Sequence, residues 1–149
     1  MMRTILVALD ASVRAPGVLA RAVEVAAKFG ADLVPLRAIS IPPDFPPAAH
    51  LAQGDPLPGH LIDVARREVA TLLTSSGGLR GVTVKDTIVR AGQPWRAIVE
   101  AAEEVKADLV VLGSHGYHGA DRILGTTAGK VANLCRRDVL VVHGRIPAA

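Results

Sequence analysis

Hydroxyl side chains and backbone N–H groups gathered among glycines suit the binding of an oxyanion, and one stretch of this sequence gathers them. It reads Gly113-Ser114-His115-Gly116-Tyr117-His118-Gly119 and continues, a few residues on, as Gly125-Thr126-Thr127. Glycine lets the backbone approach an anion closely and take φ > 0, and the unpaired N–H groups of a helix start, helped by the helix dipole, meet its negative charge. Thr126 and Thr127 can bond a phosphate oxygen or cap the helix. The competing reading is that the glycines only make turns and the threonines only cap.

Other chemistries fit this stretch less well. Gly125-Thr126-Thr127-Ala128-Gly129-Lys130-Val131 resembles a Walker A loop but is one residue short between its glycines, and it has Val131 where a magnesium-binding hydroxyl is required. No G-x-G-x-x-G follows the first apolar run, so an ordinary dinucleotide fold is not indicated. His115 and His118 are spaced for one side of a turn, but two ligands are too few for zinc and Cys135 is distant in sequence. No metal site is expected.

A phosphate loop needs a scaffold to present it. Residues 4–9 form a short apolar run that reads as a buried strand and stops at Asp10. Pro16 suits a first helical turn, after which Val18, Ala22, Val25, Ala26 and Phe29 recur at helical spacing up to Gly30. Residues 33–39 read as a second strand, although Pro35 argues for an edge, a bulge or a strand beginning. Residues 40–59 hold Pro42, Pro43, Pro46, Pro47, Pro56 and Pro58 and read as a long loop, either a cover for a site or a mobile insertion.

The alternation continues beyond that loop. Leu61, Ile62, Ala65, Val69, Leu72 and Leu73 predict a second amphipathic helix, stopped by Gly77 and Gly78. Residues 82–89 alternate as a strand with one wet face. Gln93 and Pro94 open a helix with Ile98, Val99, Ala102 and Val105 on one side, and residues 108–112 form a strand covered on both faces. A last helix over 127–135, with Val131, Leu134 and Cys135 on its apolar side, precedes a last strand over 139–142. Cys135 is expected as a buried structural thiol.

Strands alternating with helices predict an α/β fold: an open, doubly wound, five-stranded parallel sheet of order 3-2-1-4-5, with helices on both faces. In that order the first and fourth strands are neighbours and their connections leave in opposite directions. The crevice outside their carboxyl ends is where such sheets bind ligands. Asp10 follows the first strand and Gly113 the fourth, so both stretches with unusual loop chemistry are expected at one place.

Composition narrows the class. Over 149 residues, half are apolar and 21% charged, which suits one ordinary domain spanning 1–149. No apolar run is long enough to cross a bilayer, and the N-terminal run is too short for a signal-peptide core, so a cytoplasmic protein without membrane contact is expected. The net charge of +3 is scattered and aromatic residues are only 3%, which leaves little with which to bind nucleic acid.

The run Ile5-Leu6-Val7-Ala8-Leu9-Asp10-Ala11-Ser12, the segment from Ala107 through Leu112 to Gly113-Ser114-His115-Gly116, the segment Leu124-Gly125-Thr126-Thr127-Ala128 and the ending Asp138-Val139-Leu140-Val141-Val142 together resemble the universal stress protein family. The resemblance covers essentially the whole chain. It implies that Gly113, Gly116, Gly125 and Thr126 form the glycine signature of nucleotide-binding members, here with eight residues between Gly116 and Gly125, one fewer than their usual pattern. It further implies that Asp10 lies near the nucleotide, that Ala8 and Leu9 flank the adenine, that Ala38 meets the adenine edge, and that Leu112, His115 and Thr127 complete the site.

The function so implied is an ATP-binding stress-response regulator, with or without Mg²⁺, acting as a homodimeric switch joined through its last strand and presenting its surface to a protein partner. No triad or carboxylate pair is visibly aimed at the loop, so slow ATP hydrolysis is the most that is expected in the way of catalysis. Two alternatives stand: a dimeric interaction module of the same family that does not bind nucleotide, or a slow nucleotide-processing enzyme using Lys130 or Arg122.

Overall fold

A computed structural model describes residues 1–40, 59–114 and 124–143. The apolar runs become strands β1 (Thr4–Ala8), β2 (Asp32–Ile39), β3 (Ile88–Ala91), β4 (Leu109–Gly113) and β5 (Asp138–Val142). Between them lie helices α1 (Ala15–Phe29), α2 (Gly59–Ser75), α3 (Pro94–Glu104) and α4 (Thr126–Leu134). The strands form one parallel sheet in the order β3-β2-β1-β4-β5, as the alternation implied.

Period-two alternation divides the apolar side chains between two cores. Ile5, Val7, Leu33, Leu109 and Val111 face α1 and α2, where they meet Val18, Leu19, Ala22, Val23, Ala26 and Val69. Leu6, Val34, Leu36, Val110 and Leu112 face the other way, onto Ile98, Ala101 and Ala102 of α3 and Ala128 and Val131 of α4. β4 is buried on both faces, as its unbroken apolar run required.

Helix ends follow their local chemistry. Pro16 stands in the first turn of α1, and Gly30 stops that helix at φ 65°, a left-handed conformation that glycine takes without penalty. Pro94 opens α3 after Gln93. Phe29 departs from the expected apolar face and is 57% exposed. α1 runs back across the sheet, so its last residue overhangs the edge where the strands begin, and the described residues leave most of it exposed. Leu134 at the end of α4 is likewise exposed, and Cys135 is only half-buried, in extended backbone just past the helix.

Two strand expectations need correction, and both have one cause. β2 lies inside the sheet, and Pro35 is fully buried opposite Val7. Leu33 pairs toward the β3 side, accepting from the N–H of Lys85 and donating to the carbonyl of Thr83. Residues two apart present their polar groups to the same side, so the missing N–H of Pro35 also faces that side. The ladder is interrupted there: Val84 makes an isolated bridge to Leu33, and continuous pairing resumes only at Leu36 with Ile88. The strand expected over 82–89 therefore begins at Ile88 and runs on to Ala91.

Candidate functional site

The carboxyl ends of β1, β2 and β4 open into a cleft of about 440 Å³, bounded on one side by the first turns of α3 and α4. Ala8, Leu9 and Asp10 come to it from the exit of β1, Ala38 from β2, Leu112 and Gly113 from β4, and Gly125, Thr126 and Thr127 from the entry to α4. These positions, spread over most of the sequence, share one wall system because the crossovers on either side of β1 and β4 diverge. His115 and Gly116 lie outside the described residues, as do Arg122 and the proline-rich segment 41–58.

The glycine stretch is closed at its base. The Gly125 N–H donates to the Ser114 carbonyl at 2.7 Å, and the Ser114 N–H donates to the Val142 carbonyl at 2.9 Å, so the two ends of the stretch are tied together and to β5. Gly125 itself has φ −60° and ψ 163°, which any residue adopts. The φ > 0 argument does not hold at this position, which nevertheless lines the cleft. α4 has no side-chain cap, and the N–H groups of its first turn, at Thr126 and Thr127, have no intrahelical acceptor by the geometry of a helix. They open on the cleft together with the positive end of the helix dipole.

Asp10 is exposed at the cleft, and its Oδ1 accepts the Ser12 N–H at 2.9 Å. The residue that precedes α1 is Arg14, and no side chain caps the helix there, so Asp10 is not the helix cap it could have been. Ser12 continues the turn: its Oγ accepts the Arg14 N–H at 3.3 Å and its carbonyl the Ala15 N–H at 3.2 Å.

The cleft also contains residues that sequence reasoning did not single out. Leu36, Pro94, Ile98 and Ala128 enlarge its apolar side, and Ser40 and Ser114 its polar side. The largest omission is Arg37, a charged residue 7% exposed in the wall. Its Nε donates to the Leu9 carbonyl at 2.7 Å, its Nη2 to the Asp10 carbonyl at 3.3 Å, and its Nη1 pairs with the Glu68 carboxylate on α2. One arginine inside the run Pro35-Leu36-Arg37-Ala38-Ile39 was the available signal, since a strand buried on both faces has no wet side for it.

Lys130, the lysine that an enzymatic reading would use, does not line the cleft. Its Nζ stands 5.3 Å from the centre of the Trp95 ring, which also carries the Arg96 guanidinium at 5.4 Å, a cation–π arrangement. Two further ion pairs involve the opposite end of α3, one helix length or about 16 Å from its first turn. There Arg137 holds the Glu103 carboxyl, and Arg90 the Glu104 carboxyl, below the usual carboxylate range by direct hydrogen bonds. Among the described residues no helix is long and apolar enough to cross a membrane.

The model of the universal stress protein family matches residues 1–143. Universal stress protein A homolog 1 of Coxiella burnetii is 32% identical over 139 residues, 93% of this chain and 94% of that protein. Among solved structures, a universal stress protein in complex with cAMP is 29% identical with a TM-score of 0.66, covering 95% of this chain and 97% of its own. The universal stress protein UspA from Lactobacillus plantarum is 26% identical with a TM-score of 0.70, covering 95% and 98%.

Proposed function

This chain belongs to the universal stress protein family, and from that membership together with the cleft we propose that it is an adenine-nucleotide-binding regulatory protein of one domain. The observation that carries the reading is the meeting, in one cleft, of an apolar wall fit for a purine and an uncapped helix start fit for a phosphate. A relative of the same fold and 29% identity is described as a complex with cAMP, an adenine nucleotide.

In this reading the adenine lies against Ala8, Leu9, Ala38 and Leu112. The phosphates lie toward Gly113, Gly125, Thr126 and Thr127, joined by His115 and Gly116. Asp10 takes the ribose hydroxyls or a phosphate-bound Mg²⁺. The ligand is ATP, and its presence or absence alters the surface that a dimer in the cytoplasm offers to a stress-response partner. Among the described residues β5 is an edge strand with no strand paired along one side, and pairing with the same strand of a second copy would cover both edges.

Mass spectrometry of the protein purified without added ligand, run under native and denaturing conditions, tests the proposal. A co-purifying adenine nucleotide at up to one per chain is expected. Absence of any nucleotide, together with no uptake of added ATP, would leave the dimeric interaction module as the function, and altered product nucleotides would favour the enzyme.

A further inference from the structure

We propose that Arg37 is a positioning residue of the nucleotide site: its guanidinium fixes the backbone on which Asp10 stands, without itself holding the ligand. The inference rests on the nucleotide reading above and adds to it a residue that none of the glycine-loop chemistry supplies.

The argument begins where the backbone ladder ends. β1 and β2 pair in register from Thr4 with Asp32 to Ala8 with Leu36, and the last rung is the Leu9 N–H to the Leu36 carbonyl at 2.9 Å. Beyond it β1 must leave the sheet for the cleft to open, and no strand pairing holds the carbonyls of Leu9 and Asp10. Those two carbonyls are the ones that Arg37 takes, at 2.7 and 3.3 Å. A guanidinium is suited to this because its donors form a rigid planar fork, so one side chain can hold two successive carbonyls and still pair with a carboxylate.

That carboxylate is Glu68, which is half-exposed on α2, while the Arg37 side chain is 9% exposed. An arginine cannot shed its proton when buried, so all its partners have to be kept in place. Asp10 is thereby held at two points, its carbonyl by Arg37 and its carboxylate by the Ser12 N–H. Neither hold uses the carboxylate oxygen Oδ2, which accepts no hydrogen bond from the described residues and is the atom this reading gives to the ligand.

The test is isothermal titration with ATP, at a temperature well below each variant's Tm, on the wild-type protein, Arg37→Met, Asp10→Ala and the double variant. Arg37→Met is expected to weaken ATP severalfold, up to the roughly tenfold lost with Asp10→Ala. Within the Asp10→Ala background it should change affinity less than threefold, because its action runs through Asp10. Arg37→Lys keeps the charge but not the fork, and is expected to recover less than half of the lost binding free energy. Should Arg37→Met not fold, Glu68→Gln removes the ionic partner at a half-exposed site. It is expected to weaken ATP severalfold and to speed amide exchange at Ser12.

Wild-type affinity in Arg37→Met, or in Glu68→Gln when that variant stands in for it, would overturn the proposal and leave Arg37 a structural ion pair. Equal losses from Arg37→Met with and without Asp10 would overturn the route through Asp10. A wild-type protein that takes up no ATP would instead overturn the nucleotide reading itself, and this inference with it.

Discussion

A single carboxylate at the mouth of a cleft can be told from a structural one by what its loss changes. Asp10 is exposed, caps no helix and bonds one N–H in its own turn. Removing its carboxylate should therefore cost the empty protein little, while a ligand that uses it loses a charge-assisted contact. Asp10→Ala is expected to weaken ATP by about tenfold, or roughly 1.4 kcal/mol, with a smaller change in the Tm of the ligand-free protein; calorimetric titration and thermal melts decide it. Asp10, Gly113, Gly125, Thr126 and Thr127 could be expected together because they follow the first and fourth strands, although each residue type also serves turns and caps, and the cleft gathers them. Arg37 could not be, because a charge within an apolar run shows its meaning only once the carbonyls it meets are known. Gly125 does line the cleft, but one of the two reasons for expecting it there fails, because its backbone conformation is open to any residue.

At the scale of the elements, two glycines make opposite demands. Gly92 joins β3 to α3 with φ +119° and donates its N–H to the Ile39 carbonyl at 3.0 Å, which holds the start of α3 at the cleft. A Cβ there would meet no atom within 4 Å, so the cost of Gly92→Ala is the backbone conformation alone, about 1–3 kcal/mol of stability. Gly129 lies within α4, also with open space for a Cβ and without positive φ, so Gly129→Ala should stabilise by about 0.5–1 kcal/mol. Denaturant melts of the two variants should move in opposite directions.

Asp108 gives the start of the sheet a dependence on pH. Its carboxylate accepts the N–H groups of Arg3 and Thr4, at 2.8 and 3.0 Å, and these bonds hold its carboxyl below the ordinary aspartate range. A carboxyl lowered in the folded state contributes stability above its unfolded value, near pH 3.9, and loses it as pH falls through the lower folded value. Asp108→Asn should melt below wild type at pH 7, and the gap should close as pH is lowered through that window. Element order followed from periodicity, and so did the helix faces apart from Phe29 and Leu134, since each helix buries one recurring stripe. The break between β2 and β3 did not, because the side toward which Pro35 lacks a donor is set by a partner strand far along the chain.

For the molecule as a whole, the diverging crossovers at β1 and β4 account for both the cleft and the edge position of β5, since a sheet with order 3-2-1-4-5 has its switch point inside and its last strand outside. Alternating strands and helices made that order legible in the sequence, whereas the content of segments 41–58 and 115–123 lies outside the described residues. Val141→Lys would set like charges near a two-fold axis, and sedimentation at micromolar concentration should show a dimer converted to monomer; a wild-type monomer at high concentration would remove that interface from the account.

The central claim, an adenine nucleotide in the cleft, is tested most directly by titrating ATP into isotopically labelled protein and following backbone amide resonances. The account predicts saturable shifts at one site per chain, concentrated at Leu9, Asp10, Ala38, Gly113 and Gly125 to Ala128, with the exposed end of α3 around Glu103 unaffected. Resonances that stay unmoved at millimolar ATP, or shifts that saturate elsewhere on the surface and leave those residues unchanged, would contradict it.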